Sequence, residues 1–424
     1  MIVKLYNGAL SPLLAVVVVV YSGCEMLTDN NFITYDQLHG KRVLVRADFN
    51  VPIQDNAVQD ISRIKNIAPT INFLKKAKAK IILISHLGKT NQKNEEQSLK
   101  NVVKAISDEY KSNVIFIDDC LSDQATNIIE KASYDDLILL ENLRFYKEEE
   151  ACDTEFAEKL ARLADFYINE AFSVSHRKHA SVYEVPKFLP HALGLSFVKE
   201  INVIDNFLNN AKSPKMSIVG GAKLSTKVNL LKNLVKKVDK LALGGGIAGA
   251  FLAFQGNTTL KISAQKEFES EVIEIVGNAK EHGCELIFPI DFCALISEDN
   301  EKSIITSDEV NASIFDIGPK SAELFIQHIR KSATVLWNGP VGLFEKPPFD
   351  CATRMIGEEI GRLTKAGKIV SIVGGGDTAH AMNKFGIAND LTYQSTSGGA
   401  FLAYLEGSKL PGLIAMEDAF VLKE

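Results

Sequence analysis

Along most of the chain, short apolar runs alternate with stretches whose apolar residues recur every three or four positions. The runs "RVLVRADF" (42–49), "KIILISHLG" (80–88), "NVIFIDD" (113–119), "DLILLENLRF" (136–145) and "DFYINEAF" (165–172) read as buried strands. A second series follows: "KMSIVGGAK" (215–223), "KLALGGG" (240–246), "ELIFPIDF" (285–292), "ATVLWNGP" (333–340) and "KIVSIVGGGD" (368–377). Helical patterns separate them. In "NLLKNLVKKVDK" (229–240), Leu231, Leu234, Val235 and Val238 share one face and most of the lysines fall on the other. Apolar strands separated by helices predict an α/β fold of parallel sheets with helices on both faces. Ligands of such sheets bind beyond the carboxyl ends of the strands.

The two series end differently. First-series strands run into Arg46, Asp48, Asn50, His86, Arg144 and, slightly later, Arg177, whereas second-series strands run into "VGGAK", "LGGGIAG" and "VGGGDT". The change falls after "FVKEINVIDNFL" (197–208), a helical pattern closed by "NNAKSPK" (209–215). We therefore expect an N-terminal domain over 27–198, a helical hinge over 199–213, a C-terminal domain over 214–404 and a closing segment over 405–424. A chain of 424 residues is long for one core, which agrees with two domains. Residues 1–26 stand apart. "ALSPLLAVVVVVYSGC" is apolar but shorter than the roughly 20 residues that span a bilayer. One upstream lysine and the small residues before Cys24 imitate an export signal, but we read the stretch as an atypical start, with Met26 a candidate initiator.

The chain is 46% hydrophobic and 24% charged, ordinary values for a globular protein, and its formal charge is −6. No basic tract is dense enough to suggest nucleic acid. The six cysteines (24, 120, 152, 284, 293 and 351) form no C-x-x-C pair, which suits reduced thiols in a cytosolic enzyme. His176 and His179 have a spacing that could suit a metal, but Arg177 and Lys178 beside them would repel a cation.

The second half reads as a nucleotide site. A tight glycine turn lets backbone approach a ligand, and the following helix offers unpaired N–H groups and its positive dipole end to phosphate. "SIVGGAKLSTKV" adds Lys223 and Lys227, four apart and so expected on one helical face. "SIVGGGDTAHAM" adds Asp377 directly after the glycines, where a carboxylate could hold Mg²⁺ on a nucleotide. The stretch "LALGGGIAGAFLA" also contains G-x-G-x-x-G at Gly244, Gly246 and Gly249. A dinucleotide fingerprint wants an acidic residue ending a second strand about 20 residues on. Glu267 and Glu269 lie instead in a helical pattern. "SHLGKT" imitates the end of a P-loop, but the position of its first glycine is Leu83. The first half reads as a site for a small, highly charged anion, with Arg46, Arg63, His86, Lys89, Arg144 and Arg177 near one sheet edge. Asp48 and Asn50 add an acceptor and an amide.

At these residues the chain resembles the phosphoglycerate kinase family. "VLVRADFNVP", "SHLGK", "LLENLRF", "NEAFSVSHRKHAS", "VGGAKLSTK", "LGGGIAGAFL", "DIGPKSAELF", "VLWNGPVGLFE", "VGGGDT" and "STSGGAFLAYLEG" match successive motifs of that family in order, over about residues 33–424. The resemblance implies two Rossmann-like domains and reversible phosphoryl transfer between 1,3-bisphosphoglycerate and Mg-ADP, yielding 3-phosphoglycerate and ATP. It implies a triose-phosphate site of Asp48, Phe49, Asn50, Arg63, His86, Leu87, Gly88, Lys89, Arg144 and Arg177. It implies a nucleotide site of Lys227, Glu345, Gly375, Gly376, Asp377 and Thr378, with Asp377 towards Mg²⁺. Arg63, Lys223 and Lys227 take the catalytic positions, and the segment from "LEGSKLPGL" (405–413) returns to the first domain. A cytoplasmic, monomeric glycolytic enzyme without stable membrane association follows from the same resemblance.

The expected chemistry needs no general base, because the acceptor in the ATP-consuming direction is a carboxylate already ionised at neutral pH. Three positions depart from the family pattern. Lys89 stands where arginine is usual, Thr226 where an acidic residue is common, and Ser397 where a loop glycine is expected. Two other readings stay open on sequence alone: a nucleotide-dependent oxidoreductase using Gly244–Gly249, and a non-catalytic metabolite-binding or adhesion protein that kept the fold.

Overall fold

The computed structural model describes residues 32–55, 57–89, 92–254, 268–295, 302–306, 313–417 and 420–422. The atypical start, including Cys24 and Met26, lies outside them.

Two all-parallel sheets organise these residues. The first has eight strands in the order Phe32–Ile33, Phe420–Leu422, His191–Leu193, Phe166–Asn169, Arg42–Arg46, Lys80–Ile84, Leu137–Leu140 and Val114–Ile117. The second has six, in the order Glu285–Ile287, Lys240–Leu243, Lys215–Val219, Thr334–Asn338, Val370–Gly374 and Tyr393–Gln394. Strands Lys80–Ile84, Leu137–Leu140, Phe166–Asn169 and Thr334–Asn338 are buried at every residue, as expected where helices cover both faces. The apolar runs that supply these four are therefore interior strands of their sheets, whereas Val114–Ile117 and Glu285–Ile287 lie at edges. Helix Thr154–Ala161 starts on the Asp153 side chain, which accepts from the Phe156 N–H at 2.8 Å, and helix Glu269–His282 stops at Gly283, whose φ is +70°.

The run at 285–292 does not form one strand. Glu285–Ile287 joins the large sheet, while Asp291–Leu295 pairs antiparallel with Lys302–Thr306 and Ser313–Ile317 in a separate three-stranded sheet. Pro289 lies between the two strands and has no N–H to donate to a ladder.

Helix Leu195–Asp205 connects the two sheets and continues into a wider turn over Asn206–Asn210. The Glu170 carboxylate covers its amino end, accepting from the Ser196 N–H at 3.1 Å and the Phe197 N–H at 3.0 Å. On the other side Glu200 accepts from the Tyr393 and Ser395 hydroxyls of the second sheet's edge. Phe172, Phe197, Phe401 and Leu410 share one apolar core, and the Phe172 and Phe197 rings meet edge to face at 5.2 Å. This core carries side chains from both sides of the connecting helix. The chain then turns back. The Gly412 N–H donates to the Ser175 carbonyl at 2.8 Å, and Phe420–Leu422 inserts between the first strand and His191–Leu193.

Candidate active site

The carboxyl edge of the first sheet gathers Asp48, Phe49, Asn50, His86, Leu87 and Gly88. The buried Phe49 ring anchors this loop, and its N–H donates to Ser85 Oγ at 2.8 Å. Asn50 Oδ1 accepts from the Gly88 N–H at 2.9 Å, joining the two strand ends. The buried Asn142 amide clamps Leu87, accepting from its N–H at 3.1 Å and donating to its carbonyl at 2.7 Å. Gly88 has a φ of +71°, and a Cβ there would collide with the Gln97 side chain. Its carbonyl accepts from Arg144 Nη1.

Asp48 is the charged centre of this edge. It is 7% exposed, and its Oδ2 accepts from Arg63 Nη1 and from Ser173 Oγ, each at 2.5 Å. Burial alone would raise its pKa. The Arg63 guanidinium above all, with the Ser173 and Asn50 donors, outweighs that and brings it down to about 2. Arg63 stands on the short helix Ser62–Asn66, and its Nη2 donates to the Thr396 carbonyl at 3.3 Å. Asn66 of the same helix donates to Thr396 Oγ1 at 3.1 Å. The first half's edge thus touches a loop of the second.

His86 is 4% exposed, and burial, with the charges of Arg46, Arg144 and Arg63 against that of Asp48, drives its pKa well below the ordinary value. Arg144 is also buried. Its Nε lies 3.3 Å from Glu150 Oε1, outside hydrogen-bond geometry. Its pKa is lowered by burial first and then by the like charge of Arg177. Two guanidiniums that repel one another favour an anion between or beside them. Arg177 and Lys89 are exposed. Arg46 differs from the sequence expectation: it is fully buried, and its donors are taken up inside the protein.

In the second sheet, three strands end in register at Val219, Asn338 and Gly374. Their turns nest together. A Cβ on Gly220 would stand 2.2 Å from the Pro340 carbonyl oxygen, and one on Gly246 would stand 2.3 Å from that of Ala222. Two glycines of the G-x-G-x-x-G, Gly244 against Val341 and Gly246 against Ala222, are thus consumed in packing one turn on the next. Gly375, with a φ of +97°, leads into helix Gly376–Lys384, whose first turn carries the exposed Asp377. Thr378 Oγ1 accepts from the Gly339 N–H at 2.7 Å and ties this turn to its neighbour.

Lys223 and Lys227 do not share a helical face. Lys223 is extended and exposed ahead of a single 3₁₀ turn, Leu224–Thr226, and Lys227 follows that turn just before helix Val228–Leu234. "SIVGGAKLSTKV" therefore presents its lysines from a turn, because the helix starts only at Val228. Lys227 Nζ donates to Asn338 Oδ1, and Asn338 Nδ2 donates to the Gly374 carbonyl at 2.7 Å. Burial lowers the Lys227 pKa to about 8, against the charges of Glu406 and Asp377. Glu345 is exposed, on the loop whose carbonyls accept from Lys384 Nζ. Ser397 does not adopt a positive φ; the neighbouring Gly398 does, at +50°, so the serine fits its loop. Thr226 is exposed and donates to the Lys223 carbonyl at 2.9 Å.

Sequence reasoning passed over Asn338, Ser173, Thr396 and Glu406. Asn338 carried a usable signal: it is the polar residue ending an otherwise apolar central strand, "VLWN". The contacts of Ser173 and Thr396 depend on tertiary approach and left no local mark.

A model of the phosphoglycerate kinase family matches residues 33–408. The phosphoglycerate kinase of Rhizobium meliloti (strain 1021) is 42% identical over 379 residues, covering 88% of this chain and 95% of that one. That of Caulobacter vibrioides (strain NA1000 / CB15N) is 42% identical over 386 residues, covering 90% and 98%. Among solved structures, phosphoglycerate kinase from Coxiella burnetii superimposes with a TM-score of 0.78 at 34% identity, over 89% of this chain and 96% of that one. With its paired parallel sheets and facing charged edges, the chain belongs to the phosphoglycerate kinase family.

Proposed function

We propose that the protein catalyses reversible phosphoryl transfer between 1,3-bisphosphoglycerate and ADP, with the triose phosphate on the first sheet's edge and the nucleotide on the second's. The observation that carries this reading is Arg63, which bonds Asp48 on one edge and the Thr396 loop on the other. Asp48, Asn50, His86, Arg144 and Arg177, with Lys89 and the Phe49 and Leu87–Gly88 backbone, would hold the glycerate and its phosphate. Lys227, Gly375, Gly376 and Thr378 would hold the nucleotide phosphates, and Glu345 the ribose. We take the domains as 27–198 and 214–404, hinged through 199–213.

In the ATP-consuming direction, a carboxylate oxygen of 3-phosphoglycerate attacks the γ-phosphorus. The oxygen–phosphorus bond to ADP breaks, and ADP leaves with the electron pair. The nucleophile is already ionised, so no residue need remove a proton. Arg63, Lys223 and Lys227 would hold the reactants in line and balance the charge of the transferring group. Burial of Lys227 strengthens its field where water is excluded. Domain closure would bring the two edges together and expel water. The exposed Asp377 is a hard oxygen donor beside a phosphate-type turn, which fits Mg²⁺. When bound with nucleotide, the ion would neutralise phosphate charge.

The resemblance further supports a cytoplasmic monomer. Among the described residues, Cys120, Cys152, Cys284, Cys293 and Cys351 are free, and no helix is long and apolar enough to cross a membrane. Incubation with γ-labelled ATP and 3-phosphoglycerate tests the reading. Label in the acyl phosphate supports it; label found only as free phosphate contradicts it.

A further inference from the structure

Arg46 ends a central strand at the edge that carries Asp48 and His86, yet it is fully buried. Its Nε donates to Ser181 Oγ at 2.8 Å and its Nη1 to the Ala47 carbonyl at 2.5 Å. Its Nη2 faces His86 Nδ1 at 3.5 Å. Behind it, the buried Glu149 accepts from the Ser181 hydroxyl at 2.5 Å and from the Ser181 N–H at 2.8 Å. Glu149 Oε1 also lies 3.9 Å from Arg46 Nη2. The chain Glu149, Ser181, Arg46, His86 runs from the interior to the edge of the site.

A guanidinium has only donors and keeps its proton throughout the physiological range. A ring nitrogen facing it must present a lone pair. His86 Nδ1 is then the acceptor, and the one proton of the neutral imidazole sits on Nε2. Burial, with Arg46, Arg144 and Arg63 outweighing Asp48, keeps the ring neutral.

We propose that Arg46 is a positioning residue that locks His86 in its neutral Nε2–H tautomer, so that His86 meets an anionic oxygen of the glycerate substrate as a directed hydrogen-bond donor. The identity of that substrate rests on the function proposed above; the tautomer does not. A neutral donor adds orientation without placing another cation beside Arg63 and Arg144. The side chain expected from sequence to touch the anion acts instead through its neighbour.

The test is the ring ¹⁵N spectrum of the full chain, labelled at histidine and free of substrate, at pH 7. The His86 signals are assigned by their loss in His86→Gln. The proposal expects an unprotonated Nδ1 and a protonated Nε2. Arg46→Met should release the ring to a mixture of tautomers. It should raise KM for 3-phosphoglycerate about tenfold, the scale of one lost hydrogen bond, and leave KM for ATP within about twofold. If Arg46→Met alone fails to fold because Glu149 is stranded, Arg46→Met/Glu149→Gln carries the same expectation. His86→Gln keeps an N–H near the Nε2 position and should retain more affinity for 3-phosphoglycerate than His86→Asn. Protonated Nδ1 in the wild type, or an unchanged tautomer in a folded Arg46 variant, would overturn the proposal. A wild type without turnover would contradict the proposed activity, while the substrate-free spectrum still decides the tautomer.

Discussion

Arg63 donates one guanidinium nitrogen to Asp48 Oδ2 at 2.5 Å and the other to the Thr396 carbonyl at 3.3 Å, so a single side chain spans the two edges of the cleft. No other basic side chain shown to bond in either half-site has partners on both edges among the described residues. Its charge also keeps Asp48 ionised despite burial.

That ionisation sets an acid limit on stability. The Asp48 pKa is about 2 in the folded chain against an ordinary value near 3.8. A depressed carboxyl pKa stabilises the fold above the unfolded value and loses its effect as pH falls through the folded one. The window is therefore about pH 4 down to pH 2, and the contribution about 2 kcal/mol. Arg63→Met removes the main opposing charge and should move acid unfolding to higher pH, read by circular dichroism.

Glu170 acts in the opposite sense. Burial raises its pKa to about 7, against the donors Thr70, Ser196 and Phe197. A carboxyl with a raised folded pKa gives stability that is complete below about pH 4.5 and is lost as pH rises through about 7. Glu170→Gln should flatten the stability profile between pH 5 and 7, measured by denaturant titration at a series of pH values. An unaltered slope would show that Glu170 does not titrate there.

Lys227 should govern the alkaline side of catalysis. Its pKa of about 8 means that the free protein loses this ammonium as pH rises through 8. kcat/KM for Mg-ATP should fall with an apparent pKa near 8. Lys227→Arg keeps its charge, so the fall should move to higher pH even if the overall rate drops. A wild-type profile flat to pH 9.5 would contradict this.

Asn338 ties that ammonium to the Gly374 turn with a neutral amide. Asn338→Asp would pair with Lys227, neutralise its charge towards phosphate and lose the donor to Gly374. KM for ATP should rise about ten- to a hundredfold, with KM for 3-phosphoglycerate within about twofold. Equal effects on both substrates would point to general loosening.

Much of this arrangement was legible because apolar runs and edge chemistry are local signals. "KIILI" and "LILL" are strands because every residue is buried, and Asp48, Asn50 and His86 follow strands directly. What failed depended on geometry beyond a few residues. Spacing alone put Lys223 and Lys227 on one helical face, but the glycine turn delays the helix to Val228. Arg46 read as a ligand contact because it ends a strand beside Asp48 and Asn50, and only burial shows it facing Ser181 and His86. Pro289 could have warned that residues 285–292 would not form one strand. The Tyr393 and Ser395 contacts to Glu200 join residues far apart in sequence and are invisible until the chain folds.

The most direct test of the central claim is a coupled assay of the purified chain with 3-phosphoglycerate and Mg-ATP. Formation of 1,3-bisphosphoglycerate is followed through NADH-consuming reduction, with Arg63→Ala beside the wild type. The account predicts turnover in the wild type and a loss of about 10²–10³-fold in Arg63→Ala, the scale of removing one donor from a developing charge. Turnover that survives unchanged in Arg63→Ala, or a folded wild type that binds ATP without transferring its phosphoryl group, would contradict it.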